Sequence, residues 1–155
     1  MRLVAQRVSR AGVTVNGDTA DIRGIKSGLV VLAGFCGGDN AATVDYMADK
    51  LINLRIFQDE NGAMNLSLLD TGGELLVVSQ FTLYANCRKG RRPSFIEAAK
   101  PDTAIPLYGQ FLEALRACVP VVKCGEFGAD MQVELVNDGP VTIILDSDEI
   151  MPKRQ

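Results

Sequence analysis

Leu75-Leu76-Val77-Val78 is a run of four aliphatic residues, two of them β-branched, entered through Thr71-Gly72-Gly73. Alternate residues of a strand point to opposite faces, so an unbroken apolar run predicts a strand buried on both. Gly28 to Phe35 repeats the pattern. Two such strands require a sheet covered on each side, which excludes a simple half-exposed meander. After Val78, the polar residues Ser79, Gln80 and Thr82 interrupt the run around a single aromatic, Phe81. Rigid strand ends of this kind are where folds present side chains to a crevice. The plainer reading, hydroxyls bonded to neighbouring backbone, is the one composition alone favours. The chain contains no histidine, so any chemistry here does without a Ser-His or Cys-His pair.

At 155 residues the chain is long enough for one domain with a real core. Hydrophobic residues make up 47% and charged residues 23%, as in an ordinary globular domain. The net charge of −3 argues against a generic polyanion binder, although an average hides local patches. The longest apolar run is strand-sized, so no membrane span is expected. Residues 1–7 read as a strand and not as a signal peptide, which places the expected compartment in the cytoplasm. Cys36, Cys87, Cys118 and Cys124 show no CxxC spacing, and a zinc site without histidine would need all four thiolates. Reduced thiols, with no metal and no cofactor, are the expectation. Cys118 falls at a helical core spacing. Cys87 lies among cations that favour a thiolate, but no partner base accompanies it.

The elements alternate with short connections. Residues 2–8 and 12–16 read as strands, and the Asn16-Gly17 turn leads into a third over 18–23. Asp39 or Asn40 caps a helix with Val44, Met47, Ala48, Leu51 and Ile52 on its apolar face. Leu54 to Phe57 reads as a strand that turns at Asp59-Glu60-Asn61-Gly62 and returns through Met64, Leu66 and Leu68. A short helix over 94–99 and a longer one over roughly 103–118 follow. Met131, Val133 and Leu135 alternate with polar residues, and Val141 to Leu145 is the last strand. The fold class is α/β with mixed α+β character. It is one compact domain, residues 1–145, of largely antiparallel and mixed sheet packed with two main helices. A polar, loosely ordered tail over 146–155 completes the chain.

Two further segments stand out. Arg88, Lys89, Arg91 and Arg92 place four cations in five residues. Such a run is usually a solvated loop, yet in an acidic protein it makes a local anion site for which phosphate is the natural guest. Asn137-Asp138-Gly139-Pro140 interrupts the last two strands, and proline cannot donate to a ladder. X-Pro is the one peptide bond for which cis is cheap, and glycine lets a ligand approach the backbone closely. A plain turn is the alternative.

In order along the chain stand Gln6-Arg7-Val8-Ser9-Arg10-Ala11, Asn53-Leu54-Arg55-Ile56-Phe57, Met64-Asn65-Leu66-Ser67, Ser79-Gln80-Phe81-Thr82-Leu83-Tyr84-Ala85, Arg88-Lys89-Gly90-Arg91-Arg92-Pro93-Ser94-Phe95, Phe127-Gly128-Ala129-Asp130-Met131 and Asn137-Asp138-Gly139-Pro140-Val141-Thr142. With these, the chain resembles the D-aminoacyl-tRNA deacylase family in its bacterial and eukaryotic form, from Arg2 to about Leu145. The resemblance implies hydrolysis of the ester joining a D-amino acid, or glycine, to the terminal adenosine of tRNA. It also implies a homodimer whose active site lies at the subunit interface. Each pocket would combine Ser79, Gln80, Phe81 and Thr82 of one subunit with a cis Gly139-Pro140 of the other, whose carbonyls hold the α-amino group and exclude an L side chain. Arg7 matches the residue that orients this dipeptide, and Phe127 and Met131 match positions near the adenosine. The basic loop would contact tRNA phosphates.

An aminoacyl ester is already activated, so orientation and oxyanion stabilisation are the main requirements. Backbone N–H groups near Phe81 and Thr82 are candidate donors. Thr82 is the nucleophile candidate by position, but a threonine without an adjacent base is a poor one. The alternative lets the tRNA's own 2′-OH position or activate water, with Thr82 and Ser79 shaping the site. Two other classes stay open: a nucleic-acid-binding module on the same fold without activity, and a thiol enzyme built on Cys87.

Overall fold

The computed structural model describes residues 1–152. Its centre is β1 (Arg2–Val15), a single long strand where the sequence predicted two. One edge of β1 pairs along its whole length with the last strand, β8 (Met131–Asp146). The other edge pairs first with β3 (Gly28–Gly34) and then with the short β2 (Arg23–Ile25), both antiparallel. β3 continues in parallel to β6 (Glu74–Ser79), and β6 to β7 (Val122–Cys124). The sheet therefore runs β2-β1-β3-β6-β7 with β8 added on β1. It curls until β2 approaches β7, where Arg23 donates to the Cys124 carbonyl (3.0 Å) and to Glu126 (2.9 Å).

The two apolar runs behave as two-sided strands. Leu29, Val31, Leu75 and Val77 face a core completed by the helices α1 (Ala41–Asn53) and α3 (Pro101–Arg116). Val30, Leu76 and Val78 face a second core inside the curl, with Val8, Val13 and Ile25. Truncating a fully buried leucine such as Leu29 or Leu75 costs about 2–5 kcal/mol by lost burial and cavity formation. Asn40 caps α1, accepting from Thr43 N (3.1 Å), while Asp39 instead accepts from Cys36 N (2.8 Å).

Several local expectations change, each for a visible reason. The Asn16-Gly17 turn forms, closed by Asp18 N donating to the Val15 carbonyl (3.0 Å), but residues 18–22 stay out of the sheet and β2 starts only at Arg23. After α1 the chain runs irregularly to β4 (Phe57–Gln58), because Arg7 reaches across to take the Ile56 carbonyl. β4 pairs with β5 (Met64–Leu66), but Leu68 starts a one-turn helix, α2 (Leu68–Thr71), through a Ser67–Asp70 capping box. Residues 94–99 are not helical: Ser94 bridges to Asn86 and Ala98 to Cys36, committing their backbone to extended pairing. Pro101 opens α3 two residues earlier than expected, and the helix ends at Arg116. Cys118 consequently lies past the helix and is exposed. β8 is continuous in trace, yet its pairing jumps from Val8↔Asn137 to Gln6↔Thr142, so residues 138–141 bulge opposite Arg7 alone.

The chain after β8 is tied down through Met151. Asp146 caps a last helical turn, α4 (Ser147–Ile150), and Ser147 N donates to the Met1 carbonyl (2.9 Å). Residues 153–155 of the predicted loose tail lie outside the described residues. No helix among the described residues is long and apolar enough to cross a membrane.

Candidate active site

β6 delivers Ser79 to its carboxyl end, and Gln80 N makes the last strand bond, to the Ala33 carbonyl (2.7 Å). The chain then leaves the sheet and tightens into a 3₁₀ turn, Phe81–Tyr84. Gly34 of β3 permits that turn: a Cβ there would sit 2.9 Å from the Gln80 carbonyl and 3.0 Å from Leu83 Cβ. Gln80 Nε2 donates to Thr82 Oγ1 at 2.5 Å, fixing the hydroxyl as an acceptor on that side. Among the described residues, no ionisable side chain bonds the Ser79 or Thr82 hydroxyl. The Phe81 and Thr82 N–H groups open the 3₁₀ turn and receive no side-chain cap, which leaves them without an intrahelical acceptor.

Ser79, Gln80 and Phe81, but not Thr82, line a cleft of about 330 Å³. Phe127, Asp130, Met131, Ala99 and Ala104 line it with them. Phe81 is 54% exposed and meets Phe95 edge-on at 5.1 Å. Phe127 packs against Tyr108 (5.9 Å), whose hydroxyl donates to the Val77 carbonyl (3.2 Å). Met131 lies over Gly125, where a Cβ would come 2.2 Å from its sulfur.

Gly139 and Pro140 do not line this cleft, nor do Arg7 and Thr82. The Gly139–Pro140 peptide is cis and exposed on the β8 bulge. Gly139 has φ 122°, and a Cβ on it would approach Arg7 Nη2 and Val141 Cγ2 to 2.9 Å each, so glycine is required there. Arg7 is 5% exposed. Its Nη1 donates to the Ile56 carbonyl (2.7 Å) and its Nε to the Asp138 carbonyl (3.1 Å). Asp138 directly precedes Gly139, so a buried guanidinium holds the base of the bulge. That contact bridges 131 residues of sequence, beyond the reach of any local pattern.

The basic loop is pinched shut by the Asn86–Ser94 bridge (2.8 and 2.9 Å). Asn86, Arg88, Lys89, Arg92 and Ser94 line a hollow of about 380 Å³ on it, and Arg91 does not. None of the four cations forms an ion pair among the described residues. All four cysteines are free, with Cys87 exposed. No three His, Cys, Asp or Glu side chains among the described residues converge as a metal site requires.

Asp130 and the Gly34 and Gly125 contacts are the parts of the site that sequence reasoning did not single out. Asp130 sits inside the Phe127–Met131 motif, but nothing local marks it as facing a cleft.

The profile describing D-Tyr-tRNA(Tyr) deacylase matches residues 4–146. A D-aminoacyl-tRNA deacylase of Thermosipho africanus is 58% identical over 97% of this chain and 99% of that protein. One from Clostridioides difficile is 58% identical over 95% and 97%. Among solved structures, a c-Myc DNA unwinding element binding protein superposes with a TM-score of 0.87 at 43% identity, covering 94% of this chain and 98% of that one. A structure described as a probable eukaryotic D-amino acid tRNA deacylase has the same fold at 18% identity, with a TM-score of 0.82 over 93% and 97%. With its profile match and its relatives both spanning nearly the whole chain, the protein belongs to the D-Tyr-tRNA(Tyr) deacylase family.

Proposed function

We propose that this protein is a hydrolase that cleaves the ester of D-aminoacyl-tRNA, and of glycyl-tRNA, while leaving L-aminoacyl-tRNA intact. The observation that carries the reading is the cleft at the end of β6, where backbone donors and small polar side chains converge without an ionisable base bonded to either hydroxyl. An activated ester needs little more than a held carbonyl, a stabilised oxyanion and an attacking water. The Phe81 and Thr82 N–H groups serve the oxyanion, and the substrate's 2′-OH orients or activates the water. Thr82, its oxygen already engaged by Gln80, shapes the site and does not attack. Phe127 and Met131 carry the adenosine, and the loop cations Arg88, Lys89, Arg91 and Arg92 meet tRNA phosphates.

The working unit in this reading is a homodimer in the cytoplasm. One copy supplies the cleft, and the Gly139-Pro140 carbonyls of another hold the α-amino group and leave no space for an L side chain. Two features support it. The Gly139-Pro140 bulge is exposed and rigidly based on Arg7, yet it does not line its own chain's cleft. Among the described residues the outer edge of β8 is unpaired along its sixteen residues, and the strand carries Val133, Val136 and Ile144 exposed, the last 72%. Such an edge calls for a partner. A nucleic-acid-binding module without activity fits less well, since the relatives at 52–58% identity are named deacylases. The DNA-binding name of the 43% identical structure belongs to that protein.

The decisive assay follows D-tyrosyl-tRNA and L-tyrosyl-tRNA with purified protein. Catalytic loss of the D ester alone is expected, and equal or absent cleavage of the two overturns the reading. For the chemistry, Thr82→Val and Thr82→Ala should retain turnover, whereas a 2′-deoxy terminal adenosine should lose it. Dead threonine variants with normal cleavage of the deoxy substrate would reverse the assignment.

A further inference from the structure

The cleft has fourteen lining residues, and Asp130 is the only one with an ionisable side chain. Its main chain is locked in place. Asn16 N donates to the Asp130 carbonyl at 2.7 Å, and Asp130 N donates to Asn16 Oδ1 at 3.3 Å. Asn16 itself adopts φ 50°, and Gly128 just before adopts φ 77°, so the segment is a built turn at the cleft mouth. Met131 anchors the next residue over Gly125. The carboxylate at the end of this scaffold has no ion pair and no hydrogen bond among the described residues. An unpaired acceptor carried on a fixed backbone in the cleft lining suits a donor brought by the ligand.

We propose that the Asp130 carboxylate binds substrate directly, accepting a hydrogen bond from an N–H or O–H of the terminal nucleoside. This rests on the deacylase reading, in which the Phe127–Met131 wall takes that nucleoside. The α-amino group is assigned to the opposite side of the ester, and the 3′-oxygen is esterified. The remaining donors of the nucleoside are its 2′-OH and the exocyclic amino group of adenine. A carboxylate beside a polyanion repels it, so a purely electrostatic Asp130 weakens binding and its removal tightens it. A hydrogen-bonding Asp130 has the opposite sign, which makes the two roles separable.

The experiment compares wild type, Asp130→Asn and Asp130→Ala by KM on D-tyrosyl-tRNA ending in adenosine or in a purine riboside lacking the amino group. The 2′-deoxyadenosine terminus, which is not expected to turn over, is compared by Ki as a competitor. Circular dichroism and thermal melting establish that the variants of this exposed residue are folded. Asp130→Ala is expected to raise KM roughly tenfold or more on the natural terminus, as for a lost charge-assisted bond, with kcat within about twofold. Asp130→Asn, which keeps one neutral acceptor, should fall between. On one of the two altered termini the wild type already carries the defect, and the variants then add nothing, which names the donor. An unchanged or lowered KM, or a defect undiminished on both altered termini, overturns the assignment. A wild type that leaves D-tyrosyl-tRNA intact defeats the deacylase reading and this inference with it. An active wild type indifferent to Asp130 substitution defeats this inference alone.

Discussion

Replacing Arg7 with lysine tests whether the β8 bulge is held by two fixed bonds or merely by local charge. The guanidinium spans two carbonyls from different nitrogens: Ile56 at 2.7 Å and Asp138 at 3.1 Å. An ammonium is a single point on a flexible stem and cannot reproduce that fork. The Ile56 bond is buried, whereas the Nε contact to the Asp138 carboxylate is long, 3.6 Å, with that side chain 56% exposed. The exposed ion pair is screened and adds little. The main loss is therefore one charge-assisted bond to a backbone carbonyl, about 1.5–3 kcal/mol.

For a domain of this length each kcal/mol moves the melting temperature by roughly 2–4 °C, so Arg7→Lys should melt roughly 3–12 °C lower. Urea unfolding should show the same loss as a shift in midpoint with an unchanged slope. Asp138→Ala, which removes the carboxylate but keeps the bonded carbonyl, should cost no more than about 0.5 kcal/mol. Deacylation, measured where Arg7→Lys is still fully folded, should fall because the bulge base is released. Wild-type stability and activity in Arg7→Lys, or an Asp138→Ala loss equal to it, would show that carbonyl bonding is not what holds the bulge.

The Tyr84 hydroxyl is buried without a hydrogen-bond partner; the nearby Cys36 thiol opposes its ionisation but is not placed to bond it. Tyr84→Phe should therefore stabilise the protein by about 1 kcal/mol in denaturant melts. Burial first, then neighbouring groups, raises the Tyr84 pKa well above its ordinary value, and burial does the same for Tyr108. The unfolded chain then ionises first, so stability is full below about pH 10 and falls as pH rises beyond it. Tyr84→Phe should flatten that fall in melts taken between about pH 9 and 11. Gly125→Ala places a Cβ 2.2 Å from Met131 Sδ. The methionine must move, costing about 1–3 kcal/mol while raising KM measurably. Neutralising Arg88, Lys89 or Arg92, which line one hollow, should lower the slope of log affinity against log salt for tRNA by about one per cation.

What the sequence made legible was whatever is written in neighbouring residues. The two-sided runs at 28–35 and 74–78 became β3 and β6, buried against two cores. The Asn40 cap and the apolar stripe of α1 came out as read, because a helix start is a local hydrogen-bonding problem. Ser79, Gln80 and Phe81 end a strand at a cleft, which Thr82 does not line. The failures are long-range. Leu54–Ile56 looks like a strand but loses the Ile56 carbonyl to Arg7, 49 residues away. Residues 94–99 look helical but pair with Asn86 and Cys36. β7 has three residues and no pattern of its own; its neighbour β6 makes it a strand. Asp130 was invisible as a cleft residue because the turn that holds its backbone depends on Asn16.

The separation of Gly139-Pro140 from the cleft yields one more test, and it distinguishes two architectures that single substitutions leave confounded. In Gln80→Ala the cleft loses a side chain that lines it, but the β8 bulge is intact. In Gly139→Ala the cleft is intact, but a Cβ at φ 122° meets Arg7 and Val141 at 2.9 Å and distorts the bulge. Each variant alone is expected to be nearly inactive. If each site takes its cleft from one subunit and its bulge from the other, a mixed dimer contains one doubly damaged site and one wholly native site. After full subunit exchange about half of the dimers are mixed, so about a quarter of wild-type activity should return. Cleft and bulge acting within one chain predict no recovery at any mixing ratio. Full activity of Gly139→Ala by itself would remove the bulge from the mechanism.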